Sequence, residues 1–136
     1  MDDRHKAARE QMADSEPNFL GLFSRESSVT ALKAGEVLFK KGDPALLAYV
    51  LLSGELIIGD GNAVYETLSP GGIVGEMALA DQMPRSATVT ASTDCKLAQI
   101  DQKRFLFLVQ QTPMFALTLM RVMSHRLRRM NDIVKT

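Results

Sequence analysis

The chain is poor in the residues from which metal and redox centres are built. One cysteine, Cys95, and two histidines, His5 and His125, are all that its 136 residues offer. A single thiol closes no intramolecular disulfide, which fits a reducing cytoplasm. Nor can it hold an iron–sulfur cluster, which needs several cysteine ligands. Both histidines fall outside the β-patterned stretch described below, so no histidine–carboxylate metal cluster can form inside it. Neither is well placed to ligate haem or to activate a nucleophile. Net charge is missing too, because 16 basic and 16 acidic side chains cancel. No global field therefore draws the chain to nucleic acid or to a membrane surface. No apolar run has membrane-spanning length or signal-peptide form, and Gly71-Gly72 is too little glycine for a triphosphate loop. These absences lead us to expect no enzyme, no metal, no resident cofactor, no membrane partner and a cytoplasmic location.

What remains is an ordinary soluble composition, 46% hydrophobic and 24% charged, in one domain long enough to bury a core without staples. Residues 1–27 have helical texture. Asp2 and Asp3 are placed to cap a helix through about Met12, and Phe19-Leu20-Gly21-Leu22-Phe23 is an apolar patch that can dock on a barrel. Residues 28–101 alternate short apolar runs with glycine-bearing turns, the texture of an all-β sandwich or barrel. Asp60-Gly61-Asn62 reads as a hairpin turn. The run from Ser86 to Ala91 reads as a strand with one apolar face, and Cys95 to Ile100 as a strand with its thiol in the core.

Residues 102–136 read as helices. Gln102 to Gln111 is a short one with Phe105, Leu106 and Val109 on one side, and Thr112-Pro113 starts a longer one. Along it Ala116, Met120, Met123, Leu127, Met130 and Val134 keep a four-three spacing, an a/d seam of nearly three heptads. Part of that stripe must pack on the barrel; its length also predicts a partner helix. Arg121, Arg126, Arg128, Arg129 and Lys135 outnumber Asp132 there, which predicts a helix with a basic solvent face.

The most informative stretch is Gly75 to Val89, GEMALADQMPRSATV. An acid, Glu76, opens a short apolar turn, and nine residues later Arg85 follows a proline-bearing loop. A cyclic phosphate presents two exocyclic oxygens with one charge, which a planar guanidinium grips with two parallel hydrogen bonds. The one free ribose hydroxyl is a donor that a carboxylate accepts. The first N–H groups of a short helix add an anion-seeking end.

This stretch resembles the phosphate-binding cassette of the cyclic-nucleotide-binding domain, shared by the catabolite activator family, protein kinase regulatory subunits and gated channels. The likeness extends to Ala34-Gly35-Glu36-Val37-Leu38-Phe39 with Lys41-Gly42-Asp43, to Tyr49 through Leu56, and to Leu68-Ser69-Pro70-Gly71-Gly72. It covers roughly Leu32 to Arg129 in the family's order. The resemblance implies a mainly β fold, a double-stranded β-helix or jelly-roll-like barrel with N-terminal helices and a long C-terminal helix.

It further implies that Arg85 grips the phosphate while Glu76 accepts the ribose hydroxyl and braces Arg85. Gly75 would let the backbone approach, and the amides of Met77, Ala78 and Leu79 would lie near sugar and phosphate. Ser86 and the Ala87 amide would complete the anion site. Leu127, Met130 and Asn131 would close over the purine, Asn131 from a partner subunit. Methionine at position 130 departs from the catabolite activator's small hydroxyl residue, and it cannot read a base edge.

The implied ligand is cAMP by family frequency, with cGMP the alternative. The implied output is movement of the C-terminal helix, in a homodimer formed through residues 113–134, toward an effector protein not identified by the sequence. The chain ends where the catabolite activator continues into a helix-turn-helix, so by itself it is expected to bind no DNA. Two rivals stand beside this reading: a nucleotide-free dimerising module, and the sensor half of a transcription regulator.

Overall fold

Strand β8 shows how sequence becomes fold here. Cys95, Leu97, Ala98 and Ile100 are buried while Lys96 and Gln99 face solvent. That near-alternation is what a strand needs when one face meets a core. The computed structural model describes the backbone of residues 18–23, 25–81 and 83–135, and their side chains except at 78, 130 and 132–135. The helix expected through Met12 lies outside the described residues.

Eight strands precede the last two helices: β1 Val29–Leu32, β2 Val37–Phe39, β3 Ala48–Ser53, β4 Leu56–Gly59, β5 Val64–Leu68, β6 Ile73–Val74, β7 Thr88–Ala91 and β8 Cys95–Ile100. They form two four-stranded sheets with orders β1-β8-β3-β6 and β2-β7-β4-β5, and every pairing is antiparallel. This is the jelly-roll arrangement the resemblance implied. The expected hairpin joins β4 to β5. There the Asp60 carboxylate accepts the amides of Asn62 and Ala63 at 2.9 Å, and Gly61 takes a positive φ of 96°.

Between β6 and β7 the chain makes a short helix, α1, Met77–Asp81, followed by the loop that carries Arg85. Helix α2 spans Gln102–Gln111 and α3 spans Pro113–Lys135. Asp101 caps α2, its carboxylate accepting the Arg104 amide at 2.7 Å. Pro113 begins α3, where a missing N–H costs nothing. The apolar side of α2 differs from expectation. Phe105, Leu108 and Val109 pack on the core, whereas Leu106 is half exposed. No single helix among the described residues is long and apolar enough to cross a membrane.

A cluster of aromatic rings fastens the helices to the β framework. Phe115, fully buried on α3, meets Phe19 at 5.4 Å, Phe105 at 5.8 Å and Phe23 at 6.5 Å between centroids. Phe19 and Phe23 are thus the part of the predicted docking patch that docks. Leu20 and Leu22, on the other side of the 3₁₀ turn Leu20–Phe23, stay exposed. Phe115→Ala should cost about 3–5 kcal/mol, the usual range for emptying an aromatic site in a core. Urea unfolding followed by circular dichroism reads this directly, and a loss below about 1 kcal/mol would show that α3 is held elsewhere.

Candidate functional site

The β2-β7-β4-β5 sheet supplies the floor of the site. Phe39 pairs with Val89, Val89 with Ile58, and Ile58 with Glu66. Directly paired residues share a face, so these four form one row across four strands. All four line a cavity of about 440 Å³. Its other walls come from Val74 to Met77, from the segment Met83 to Ala87, and from Met123, Arg126 and Leu127 on α3.

Arg85 reaches this cavity because its backbone is pinned on both sides. Its amide donates to the Asp43 carbonyl at 2.9 Å, and its carbonyl accepts the Gly42 amide at 2.8 Å. The guanidinium carbon lies over Phe39, 3.9 Å from the ring centroid, a cation–π contact. Nη2 donates to the Leu47 carbonyl at 2.6 Å and Nη1 to the Gly75 carbonyl at 3.5 Å. Nε is buried and has no hydrogen-bond partner among the described residues. Burial lowers the guanidinium's pKa, while Tyr49, Asp43 and Glu76 pull it back up. Arginine stays charged regardless.

Gly75 has a positive φ of 77°, and a Cβ there would collide with Arg85 Nη1 and press on the Leu47 carbonyl. Glycine is required at this point twice over, for its φ and for the space.

Glu76 is as buried as Arg85, each 7% exposed, but its direct partner is not Arg85. Arg126, from the middle of α3, donates Nη1 to Glu76 Oε1 and Nη2 to the Ile73 carbonyl, the latter at 2.6 Å. Its Nε sits 3.9 Å from Glu66 Oε2, and Arg129 donates to Glu66 Oε1 at 3.0 Å. The expected bracing of Arg85 by Glu76 is therefore only electrostatic here.

The expected basic solvent face of α3 holds at Arg121, Arg128 and Arg129, which are exposed, but not at Arg126. Arg126 turns inward, because a buried carboxylate needs a cation and α3 is the element that can bring one. Burial raises the Glu76 pKa above its ordinary 4.5 despite the lowering effect of Arg126, and Glu66 adds to the rise.

Of the residues expected to bind ligand, Gly75, Glu76, Met77, Arg85, Ser86, Ala87 and Leu127 line the cavity together. Leu79 does not; its side chain joins the core near Phe115, and its amide is taken by the Glu76 carbonyl at 3.1 Å. Asn131 is exposed and outside the lining. The side chains of Ala78 and Met130 lie outside those described. Sequence reasoning passed over Phe39, Glu66 and Arg126. Arg126 was within reach, since an acid placed to be buried asks for a cation, and the helix above it is rich in them.

Comparison with known proteins gives the family of the chain. The profile of the cyclic nucleotide-binding domain matches residues 29–112, more than half of the chain. The chain belongs to the cyclic nucleotide-binding domain family. Among its relatives is the CRP-like cAMP-activated global transcriptional regulator of Mycobacterium tuberculosis, 26% identical over 122 residues, covering 86% of this chain and 54% of the relative. A cyclic nucleotide-gated potassium channel of Mesorhizobium japonicum is 35% identical over 100 residues, covering 74% of this chain and 28% of the channel. Among solved structures, the catabolite activator protein of Thermus thermophilus superposes with a TM-score of 0.72 at 26% identity, over 79% of this chain and 53% of that one. The chain thus spans about half the length, or less, of these relatives.

The raised Glu76 pKa sets the sign of a pH effect. The folded protein keeps a proton on Glu76 to higher pH than the unfolded chain does. The resulting stabilisation is fully present below about pH 4.5 and is lost as pH rises through the folded value. Comparing urea midpoints of the ligand-free protein and Glu76→Gln between about pH 4 and 8 isolates this group. The stability of the native protein relative to the variant should fall as pH rises; a flat or rising difference would contradict the raised pKa.

Proposed function

We propose that the chain is a sensor module that binds a purine 3′,5′-cyclic nucleotide in the cavity between the β2-β7-β4-β5 sheet and α3. The observation that carries the reading is Arg85. A guanidinium held over Phe39 at the cavity wall, with a buried Nε that has no hydrogen-bond partner among the described residues, is an incomplete site for an anion. Orphaned buried donors are costly and rare, and an anionic ligand is one way to satisfy them. The phosphate would take Nε and one Nη of Arg85, with Ser86 and the Ala87 amide at the rim. Glu76 would accept the ribose hydroxyl. Leu127 and Met123 would cover the base.

The same geometry supports an output through α3. Arg126 rides on that helix and rests on Glu76, so a sugar bound to Glu76 acts on the residue that positions the helix. Ligand would then shift the population of helix positions. The contacts of α3 also favour a second copy of the chain as partner. Phe115, Thr118 and Val122 face the barrel, whereas Met120 is 62% exposed and outside the cavity lining. This is where the predicted seam divides: Met123 and Leu127 line the cavity, and Met120 remains for a partner helix. Regulatory binding rather than catalysis is the activity we assign, in the cytoplasm and toward an effector that this site does not identify. The expectation of cAMP has family frequency behind it and no residue that reads adenine.

Arg85→Ala should weaken cyclic-nucleotide binding by roughly 2–5 kcal/mol, the range for truncating one partner of a buried charged contact. That is about thirty- to several-thousand-fold in affinity, measured by calorimetry. A loss below about threefold in a folded variant would remove Arg85 from the phosphate role. Met120→Glu tests the seam without touching the cavity. Sedimentation should show monomers where the native chain forms dimers, and dimers that persist would place the interface elsewhere.

A further inference from the structure

We propose that Glu66 on β5 reads the edge of the purine and makes the site prefer guanine to adenine. The inference rests on the cyclic-nucleotide reading above and adds the base to it. Its starting point is a broken pattern. On β5, Glu66 lies two residues from Leu68, on the face by which Leu68 enters the core and Glu66 pairs with Ile58. Strand alternation favours an apolar residue at that position. A carboxylate stands there instead, its side chain 21% exposed. Such a substitution for an apolar residue costs stability and marks a place where the acid is used.

The position of Glu66 in the row fixes what it faces. Arg85 lies over Phe39 at one end, and Val89 and Ile58 follow in register, with Glu66 at the other end. With strands about 4.8 Å apart, three spacings span about 14 Å. A nucleotide whose phosphate sits on Arg85 and whose ribose sits on Glu76 then lays its base over the apolar middle, Val89 and Ile58. The far edge of that base points at Glu66. Nothing else described at that end reads a base in the same way. Met123 and Leu127 can cover a ring but offer no acceptor, and Arg126 is committed to Glu76 and the Ile73 carbonyl.

Glu66 also has capacity to spare. Oε1 accepts from Arg129 at 3.0 Å, while among the described residues Oε2 has only the Arg126 Nε at 3.9 Å, too long for a hydrogen bond. A carboxylate has about four lone-pair sites and donates nothing. Guanine presents two adjacent donors, N1–H and the 2-amino group, which match the two oxygens of a carboxylate. Adenine turns an acceptor, N1, toward the same place and keeps one donor group, its 6-amino. A site built to receive donors rejects the analogue that lacks them, because the acceptor is then left unpaired.

Calorimetric titration of the native chain, Glu66→Gln and Glu66→Ala with cyclic GMP, cyclic AMP and cyclic IMP tests this, with thermal melts confirming that each variant is folded. Cyclic IMP keeps N1–H and lacks the 2-amino group. The native chain should bind cyclic GMP at least about fivefold more tightly than cyclic AMP, the low end of what one bidentate base contact discriminates. Cyclic IMP should fall between them. Glu66→Ala should bring the three within about threefold by weakening cyclic GMP most and cyclic IMP less while leaving cyclic AMP unchanged, and Glu66→Gln, with one acceptor oxygen, should keep part of the preference. Equal or tighter binding of cyclic AMP by the native chain, or a ratio that survives Glu66→Ala, overturns the proposal and leaves the cyclic-nucleotide reading standing. Binding of none of the three overturns both.

Discussion

The structure turns on a buried carboxylate that must find a cation. Glu76 sits at the start of α1, almost out of solvent, in a wall that is otherwise largely apolar. An unpaired charge there would be too costly to keep. Arg126 answers it from a helix fifty residues on, and in doing so stretches across the cavity to touch Glu66 and the Ile73 carbonyl as well. The position of α3 and the chemistry of the site are therefore one problem with one solution. Replacing the pair with apolar residues of like size could stabilise the fold, but it would uncouple the helix from the site. We read its retention as functional for that reason.

Arg85 is the complement of Glu76. It too is buried, but its partners are backbone carbonyls and the face of Phe39 rather than an acid. Carbonyl partners and an orphaned Nε leave its positive charge uncompensated at short range. The cavity thus carries an acid already satisfied from α3, and a cation held open. An anion with a hydroxyl nearby would fill the second and compete at the first, which is how, in the function we propose, occupancy would act on α3.

Much of this was legible in the sequence, and for physical reasons. The β sandwich was visible because alternating burial and glycine turns are local signals, and strand β8 and the Asp60 hairpin follow them closely. The cassette was legible because Gly75, Glu76 and Arg85 lie within eleven residues and their chemistry depends on spacing. What could not be read was the long-range pairing. Arg126 looked like one of several cations on a solvent face, since which way α3 turns depends on long-range contacts, the packing of Phe115 on Phe19 and Phe23 and the pairing with Glu76. Glu66 was passed over for the same reason: its inward position depends on the register of β5 against β4. The side of α2 was misjudged at Leu106, because periodicity fixes a stripe but tertiary contact chooses its centre.

The most direct test is a ¹⁵N side-chain spectrum of the arginines, titrated with cyclic GMP and with cyclic AMP and assigned by Arg85→Lys and Arg126→Lys. The account predicts that the Arg85 Nε–H resonance moves as its orphaned donor gains a phosphate oxygen. The Arg126 resonances should move with the same saturation curve, because the sugar acts on Glu76. An Arg85 Nε–H that stays in place while either nucleotide saturates the protein would contradict the account at its centre.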